Sequence, residues 1–343
     1  MSGPGPAAPL RVVVVGCGRV FERFHLPALA RVPELTLVAV CDTDEARLAW
    51  ARARLPDVAH ATSPEGLGTL RPDAVLILTP PVTHRALAER ALAAGLHVLV
   101  EKPLTLDTAG ARGMADAARS AGRQLRVGFT RRFRPPYRSL RHRVQAARDR
   151  VAGISCWLAF PSAAWAATGG FLGVDAEGGG VIDDVLSHVV DLVRWISGAE
   201  PVRVRARAFA DGSIACELAL ESGITASCQA AHAAYTEYFE VAWRGGGAAA
   251  ASGVRSYARP RASGDTVPIR AWIADRSALA LNRVLGRRGL TPLSFEAQLR
   301  DFARAIRGGV AEGAGPEDGI AAVAAVEAAR ASLRGGGSWQ EIR

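Results

Sequence analysis

Three sets of residues in this 343-residue chain have types and spacings that suit chemistry. The first is a single residue. Lys102 is the only lysine, and every other one of the 42 basic residues is arginine. A chain that uses Arg for ordinary positive charge keeps Lys where Arg will not serve. Arg is a wide planar fork that stays charged, whereas Lys is a compact ammonium that can approach a reacting oxygen and whose pKa responds to burial. The second set is Asp184, His188 and Asp191, spaced i, i+4, i+7 along one helical face. That spacing makes Asp184 and His188 neighbours. A carboxylate beside an imidazole can do acid–base work on an alcohol, although an isolated pair of this kind also occurs as a plain ion pair. The third set is the turn Gly16-Cys17-Gly18, followed by Asp42.

The elements that must carry these residues are readable from apolar patterning. Arg11–Val15, Leu35–Val40, Ala74–Leu78 and Leu96–Val100 are short continuous apolar runs, as expected of parallel strands buried on both faces, with Val58–His60 and Gln124–Val127 as two further strands. Helical patterns separate them: one through Leu29, then Asp44–Arg54, 83–94 and 106–121. Strand–helix alternation predicts a doubly wound parallel α/β sheet over residues 1–128. In such sheets ligands bind beyond the carboxyl ends of the strands. The glycine turn, Asp42, Thr79 and Lys102 all fall at that edge. Gly16 allows a tight turn, and Gly18 lets backbone N–H groups approach a pyrophosphate at the helix start. The third position of the dinucleotide fingerprint is Phe21, where Gly or Ala is usual. Asp42 suits the two ribose hydroxyls and would repel a 2′-phosphate, which predicts NAD over NADP. The same carboxylate could instead cap the following helix.

Residues 129–343 predict a second, α+β domain with a large, mainly antiparallel sheet. Residues 135–150 read as a basic connecting helix and Gly153–Phe160 as a strand. Val181–Ser197 reads as one strong helix whose buried stripe is Ile182, Leu186, Val189, Val193 and Ile196. Alternating runs from Val202 to Val241 predict strands, and Gly245–Ser263 predicts turns and an edge. Residues 268–289, with Trp272 and Leu279, read as an insertion or lid, or less readily as a membrane-surface helix. Phe295, Leu299, Phe302 and Ile306 form the apolar stripe of a tail helix, and Pro316 opens another.

The set Gly16-Cys17-Gly18, His25-Leu26-Pro27, Thr79-Pro80-Pro81 with His84, and Glu101-Lys102-Pro103 resembles the Gfo/Idh/MocA family of oxidoreductases. So do Gly128-Phe129 with Arg132-Phe133, and Gly178-Gly179-Gly180 leading to Asp184, His188 and Asp191. Leu186 departs from that second signature, where the family often has Gly. Asp183 competes with Asp184, and the spacing to His188 favours Asp184. The resemblance implies a Rossmann domain and NAD as cofactor. Catalysis falls to Lys102, Asp184 and His188. Cofactor contacts fall to Gly16, Cys17, Gly18, Arg19, Val20, Asp42, Thr79, Pro80, His84, Glu101 and Lys102. Substrate contacts fall to Lys102, Arg132, Trp165, Asp184 and His188. Among the aromatics, Trp157, Phe171, Tyr235 and Tyr238 are further candidates for a sugar-facing wall, with core packing as the alternative. The expected reaction is hydride exchange between nicotinamide and a secondary alcohol or ketone of a sugar, amino sugar or cyclitol. Family members that hydrolyse or eliminate through transient oxidation, and a non-catalytic sensor, are the rival readings.

Composition excludes other classes. The net charge of +9 is spread along the chain, and the dense clusters at Arg131–Arg134 and Arg138–Arg143 are short with little aromatic interleaving, so no nucleic-acid partner is expected. Five cysteines without a C-x-x-C pair predict neither a disulfide framework nor a zinc site, and a reducing compartment. Residues 1–9 lack a basic segment and read as a leader and not a signal peptide. A cytoplasmic protein is expected, with no metal and no membrane span. By the resemblance to that family, an exposed sheet face suggests a homo-oligomer, a dimer or tetramer.

Overall fold

The computed structural model describes residues 8–161, 180–252, 256–259 and 290–343. Trp165, Phe171, Gly178, Gly179 and the 268–289 segment lie outside the described residues.

The first sheet has six parallel strands in the order β3-β2-β1-β4-β5-β6. They are β1 (Leu10–Val15), β2 (Leu35–Cys41), β3 (Ala59–Ala61), β4 (Ala74–Ile77), β5 (His97–Val100) and β6 (Leu125–Val127). The order reverses direction between β1 and β4, the topological switch of a doubly wound sheet. Side chains alternate faces along each strand. Val13, Val15, Ile77 and Val100 therefore pack on one side, with Ala88 and Leu92 of α3 (Pro81–Ala93) and Met114 of α4 (Thr108–Ala121). Val12, Val14, Leu76 and Leu99 pack on the other, with Leu48 of α2 (Glu45–Arg54). Burying each such side chain contributes on the order of 2 kcal/mol.

The tail helix joins this second face. Phe295, Leu299 and Phe302 of α8 (Leu290–Ile306) are buried against it, and Phe295 stacks on Phe24 with centroids 5.0 Å apart. The helix read through Leu29 opens differently from a plain α-helix. Over Phe21–His25 the turn is widened, with Leu26 N–H donating to Phe21 O, before a short α1 (Leu26–Leu29). Such one-turn widening re-aims side chains.

The second sheet has eight strands, β13-β12-β11-β7-β10-β9-β8-β14. The long ones are β7 (Val151–Phe160), β8 (Pro201–Ala208), β9 (Ile214–Leu220), β10 (Thr225–His232) and β11 (Thr236–Trp243). The edge is made by β12 (Ala248–Ser252) and β13 (Ser256–Arg259) at one end and β14 (Gln340–Glu341) at the other. Every pairing is antiparallel except β7 with β10. Among the described residues, helices pack on one face, and on the other Trp157 is exposed. Connecting helix α5 spans Pro135–Gln145, shorter than read. The helix read as continuous from Val181 to Ser197 is broken at Val185 into α6 (Val181–Asp184) and α7 (Leu186–Ser197). The last helix is α9 (Pro316–Arg334).

No helix among the described residues is long and apolar enough to cross a membrane. The five cysteines are buried and unpaired with one another.

Candidate active site

The final residues of four parallel strands are register partners: Val15 with Cys41, Val15 with Ile77, and Ile77 with Val100. The turns that follow therefore share one rim. Gly16 follows β1, Asp42 follows β2, Thr79 lies two residues beyond β4, and Glu101-Lys102 follow β5.

Gly16 has φ +101°, and a Cβ there would lie 2.8 Å from the Leu78 carbonyl carbon and 2.9 Å from Thr79 N. Backbone cannot yield cheaply, so only glycine fits where β1 and β4 approach. A Cβ on Gly18 would meet nothing within 4 Å, which leaves open space before the turn. Asp42 is held by two backbone donors. Cys17 N–H donates to Oδ2 at 2.6 Å and Asp44 N–H to Oδ1 at 2.9 Å. The helix-capping alternative fails, because the cap of α2 is Asp44, which accepts from Ala46 N–H at 2.8 Å. Cys17 contributes backbone only. Burial and the nearby Asp42 carboxylate push its thiol up to about 12.

Two residues assigned to the cofactor prove to hold the rim from behind. His84 is fully buried, with Nδ1 2.9 Å from Pro103 O and Nε2 2.9 Å from Thr79 O. It ties the turn after β4 to the turn after β5, and both of its ring nitrogens are engaged by main-chain oxygens. Glu101 pairs with buried His25, Nε2 to Oε1 2.8 Å, and accepts from Lys102 N–H at 3.2 Å. The widened turn at Phe21–His25 brings that histidine under the lysine's strand end. Thr79 Oγ1 accepts from Thr83 Oγ1 at 2.6 Å. Pro80 caps α3, and Arg19 and Val20 lie partly exposed beside the glycine turn.

Lys102 reaches across to the second domain. Its Nζ donates to Asp184 O at 3.0 Å and forms an ion pair with Asp184 Oδ1. Both side chains are largely buried. Burial alone would raise the Asp184 carboxyl, but Lys102 and His232 outweigh it and hold it well below the usual carboxylate range. Neighbouring Asp183 points elsewhere, pairing with Arg330 on α9.

His188 is buried between the rings of Phe129 and Phe160, at centroid distances of 5.9 and 6.0 Å. Among the described residues its ring has no hydrogen-bond partner, and it does not bond Asp184. Burial, then the charges of Arg131, Lys102 and Arg134, press its imidazole well below its ordinary range. It is a neutral ring with unclaimed nitrogens.

Asp184's second partner escaped the sequence reading. His232 Nε2 lies 3.2 Å from Asp184 Oδ2. No local spacing links residues 184 and 232. The link is made by parallel register, which sets His232 beside Phe160 at the ends of β10 and β7.

Arg132, assigned to substrate, is corrected. It is 4% exposed, makes paired bonds to Asp191 at 2.5–3.1 Å, and also pairs with Asp318 at 3.0 Å. Its fork is filled by two carboxylates. The neighbouring arginines behave alike: Arg131 and Arg134 both pair with buried Glu237, at 2.9 and 2.5 Å. A cluster that reads as a basic patch is an ion-pair network. Trp157 and Tyr238 are register partners on the open face of the second sheet, away from this site. Tyr235, one residue before β11, bonds Glu237 and lies near Phe160, with centroids 6.1 Å apart.

A family model described as an oxidoreductase family with an NAD-binding Rossmann fold, GFO/IDH/MocA, matches residues 10–129, and the GFO/IDH/MocA C-terminal domain matches 141–249. The chain is 28% identical to the rhizopine catabolism protein MocA of Rhizobium meliloti over 341 residues, 93% of each chain. It is 31% identical to the D-glucoside 3-dehydrogenase of Escherichia coli (strain K12) over 219 residues, 59% of this chain and 58% of that one. The matched part thus spans little more than half of that relative. The fold is shared with myo-inositol 2-dehydrogenase from Lactobacillus plantarum, with a TM-score of 0.77 at 23% identity over 98% of this chain and all of that one.

Proposed function

We propose that this chain, which belongs to the GFO/IDH/MocA oxidoreductase family, is an NAD-dependent dehydrogenase for a secondary alcohol of a sugar, amino sugar or cyclitol. One observation carries the reading: the lone lysine, on the rim where a dinucleotide binds, is ion-paired to a buried aspartate of the second domain. The space before Gly18, the two-donor clasp on Asp42 and the exposed rim fit NAD. Negative charge at Asp42 disfavours a 2′-phosphate.

Bound NAD supplies the hydride acceptor. The rest of the chemistry falls to the chain. An ammonium has three N–H donors. Lys102 directs two at Asp184, to its main-chain and carboxylate oxygens. The third is left for the substrate oxygen, where it stabilises the negative charge that develops as the hydroxyl proton departs. Ionised Asp184 holds that ammonium in place. Neutral His188, whose ring has no hydrogen-bond partner among the described residues, accepts the hydroxyl proton. Its surrounding cations make it a weak base, so it releases the proton again after each turnover. Phe160 and Tyr235 offer an apolar wall beside it. In reverse, the same groups reduce a ketone.

The open face of the eight-stranded sheet, with Trp157 46% exposed, favours association into a homo-oligomer, which light scattering would measure. Five buried thiols fit a reducing, cytoplasmic setting.

The test is a panel of sugars, amino sugars and cyclitols with NAD or NADP, followed by absorbance of reduced nicotinamide. Net NADH with at least one polyol supports the dehydrogenase. Substrate consumption without NADH points to the transient-oxidation hydrolase or lyase. NAD binding with no turnover points to a sensor.

A further inference from the structure

We infer that His232 is a positioning residue of this site, fixing the carboxylate of Asp184 through its Nε2–H. The inference rests on the dehydrogenase reading for its functional consequence, and on geometry alone for the contact.

Among the described residues β7 and β10 are the one parallel pair in the second sheet, so both strands end at the same edge. Ala226, Cys228 and Ala230 of β10 are buried on the helix-covered face. Residue 232 shares their parity, so its side chain leaves the strand on that face. There it meets Asp184, at the end of α6. The pair is not a solvated surface contact, since the side chains are 21% and 11% exposed.

The protonation pattern follows from Asp184. An ionised carboxylate only accepts, so the ring nitrogen 3.2 Å from Oδ2 must carry hydrogen. Asp184 is then gripped on both oxygens by groups from different elements, Lys102 on Oδ1 and His232 on Oδ2. A carboxylate held on one oxygen turns easily about its terminal torsion, which is broad. A second donor fixes its plane. Because two of the three Lys102 donors bind Asp184, fixing that plane aims the third. His232 thus acts on the substrate oxygen through two other residues and touches neither substrate nor cofactor.

The NAD-loaded full chain tests this with His232→Leu and His232→Gln. Gln can present an amide N–H near the position of Nε2, and Leu cannot. His232→Leu should lower kcat/KM for the alcohol by roughly tenfold or more, the scale of one lost hydrogen bond to a charged group, with NAD affinity by fluorescence quenching unchanged. His232→Gln should recover to within about threefold of wild type. Full activity in the Leu variant, or no recovery in the Gln variant, overturns the assignment. A nitrogen-15 NMR spectrum of the wild-type protein with NAD needs no turnover. The His232 ring should carry a proton on Nε2, and an Nε2 without one overturns the contact. If no alcohol in the panel is oxidised, the dehydrogenase reading fails while the NMR result still decides for or against His232.

Discussion

Lys102 Nζ lies 3.0 Å from the main-chain oxygen of Asp184 and is ion-paired with the same residue's carboxylate. A strand end of the first sheet is thereby clamped to a helix end over the second. A planar guanidinium, with five donors spread over a rigid fork, cannot place its donors as this ammonium does on Asp184.

Lys102→Arg should therefore lower kcat by about a hundredfold or more, the scale of lost acid–base or oxyanion assistance. NAD affinity, set by the glycine turn and Asp42, should change little. Steady-state kinetics with the best substrate of the panel, beside fluorescence titration of NAD, checks this. Turnover near wild type would sink the role given to the lysine.

Arg132 leads to a different outcome. Its charge is buried and shared between Asp191 and Asp318. Breaking a buried pair leaves an uncompensated charge, so Arg132→Met should cost about 3–5 kcal/mol in urea unfolding. Replacing both members, as Arg132→Met with Asp191→Leu, should recover much of that loss. KM for the alcohol should stay near wild type in every variant that folds. A large rise in KM at unchanged stability would return Arg132 to the substrate site.

How far the chain could be read from its residues follows from the same examples. The parallel sheet was readable because strands buried on both faces are continuous apolar runs, and because glycine turns and acids stand at their ends. Lys102 stood out by rarity, and Asp184 by its distance from His188. The roles of Arg132 and His84 were not readable. Burial decides whether an arginine meets solvent or Asp191, and whether a histidine meets a ligand or the carbonyls of Thr79 and Pro103. Residue type carries neither fact. The break at Val185 hid inside a run whose apolar spacing fits one helix. His232 could not be found at all from local spacing, because its partner is 48 residues away and is reached through sheet register.

The buried imidazole of His188 predicts an acid-sensitive stability. Burial and three nearby cations lower its folded pKa. In the unfolded chain its pKa is about 6.5. As pH falls below that value the unfolded state binds a proton the folded state refuses, so stability drops by up to about 1.4 kcal/mol per pH unit until the lowered folded pKa is reached. His188→Gln removes this contribution. Urea unfolding of both proteins from pH 7.5 to 5 should show the wild type losing stability faster than the variant. Parallel curves would mean that His188 is charged, or free to charge, in the fold.

Asp42 sets the choice of cofactor. Its two oxygens are clasped by Cys17 N–H and Asp44 N–H, which fixes the orientation of the carboxylate on the rim. A 2′-phosphate brought within about 4 Å would meet repulsion of up to about 4 kcal/mol at an effective dielectric constant near 20. Asp42→Ser keeps a short polar side chain and removes the charge. It should weaken NAD, because the bond to the ribose hydroxyls loses its ionised acceptor, by about 1.5–3 kcal/mol, or roughly ten- to hundredfold. NADP should improve over the same range, as the repulsion is lifted. The ratio of kcat/KM for the two cofactors measures both effects at once. An unchanged ratio would leave Asp42 as a support for the glycine turn alone, and would move nucleotide selectivity to another residue of the rim.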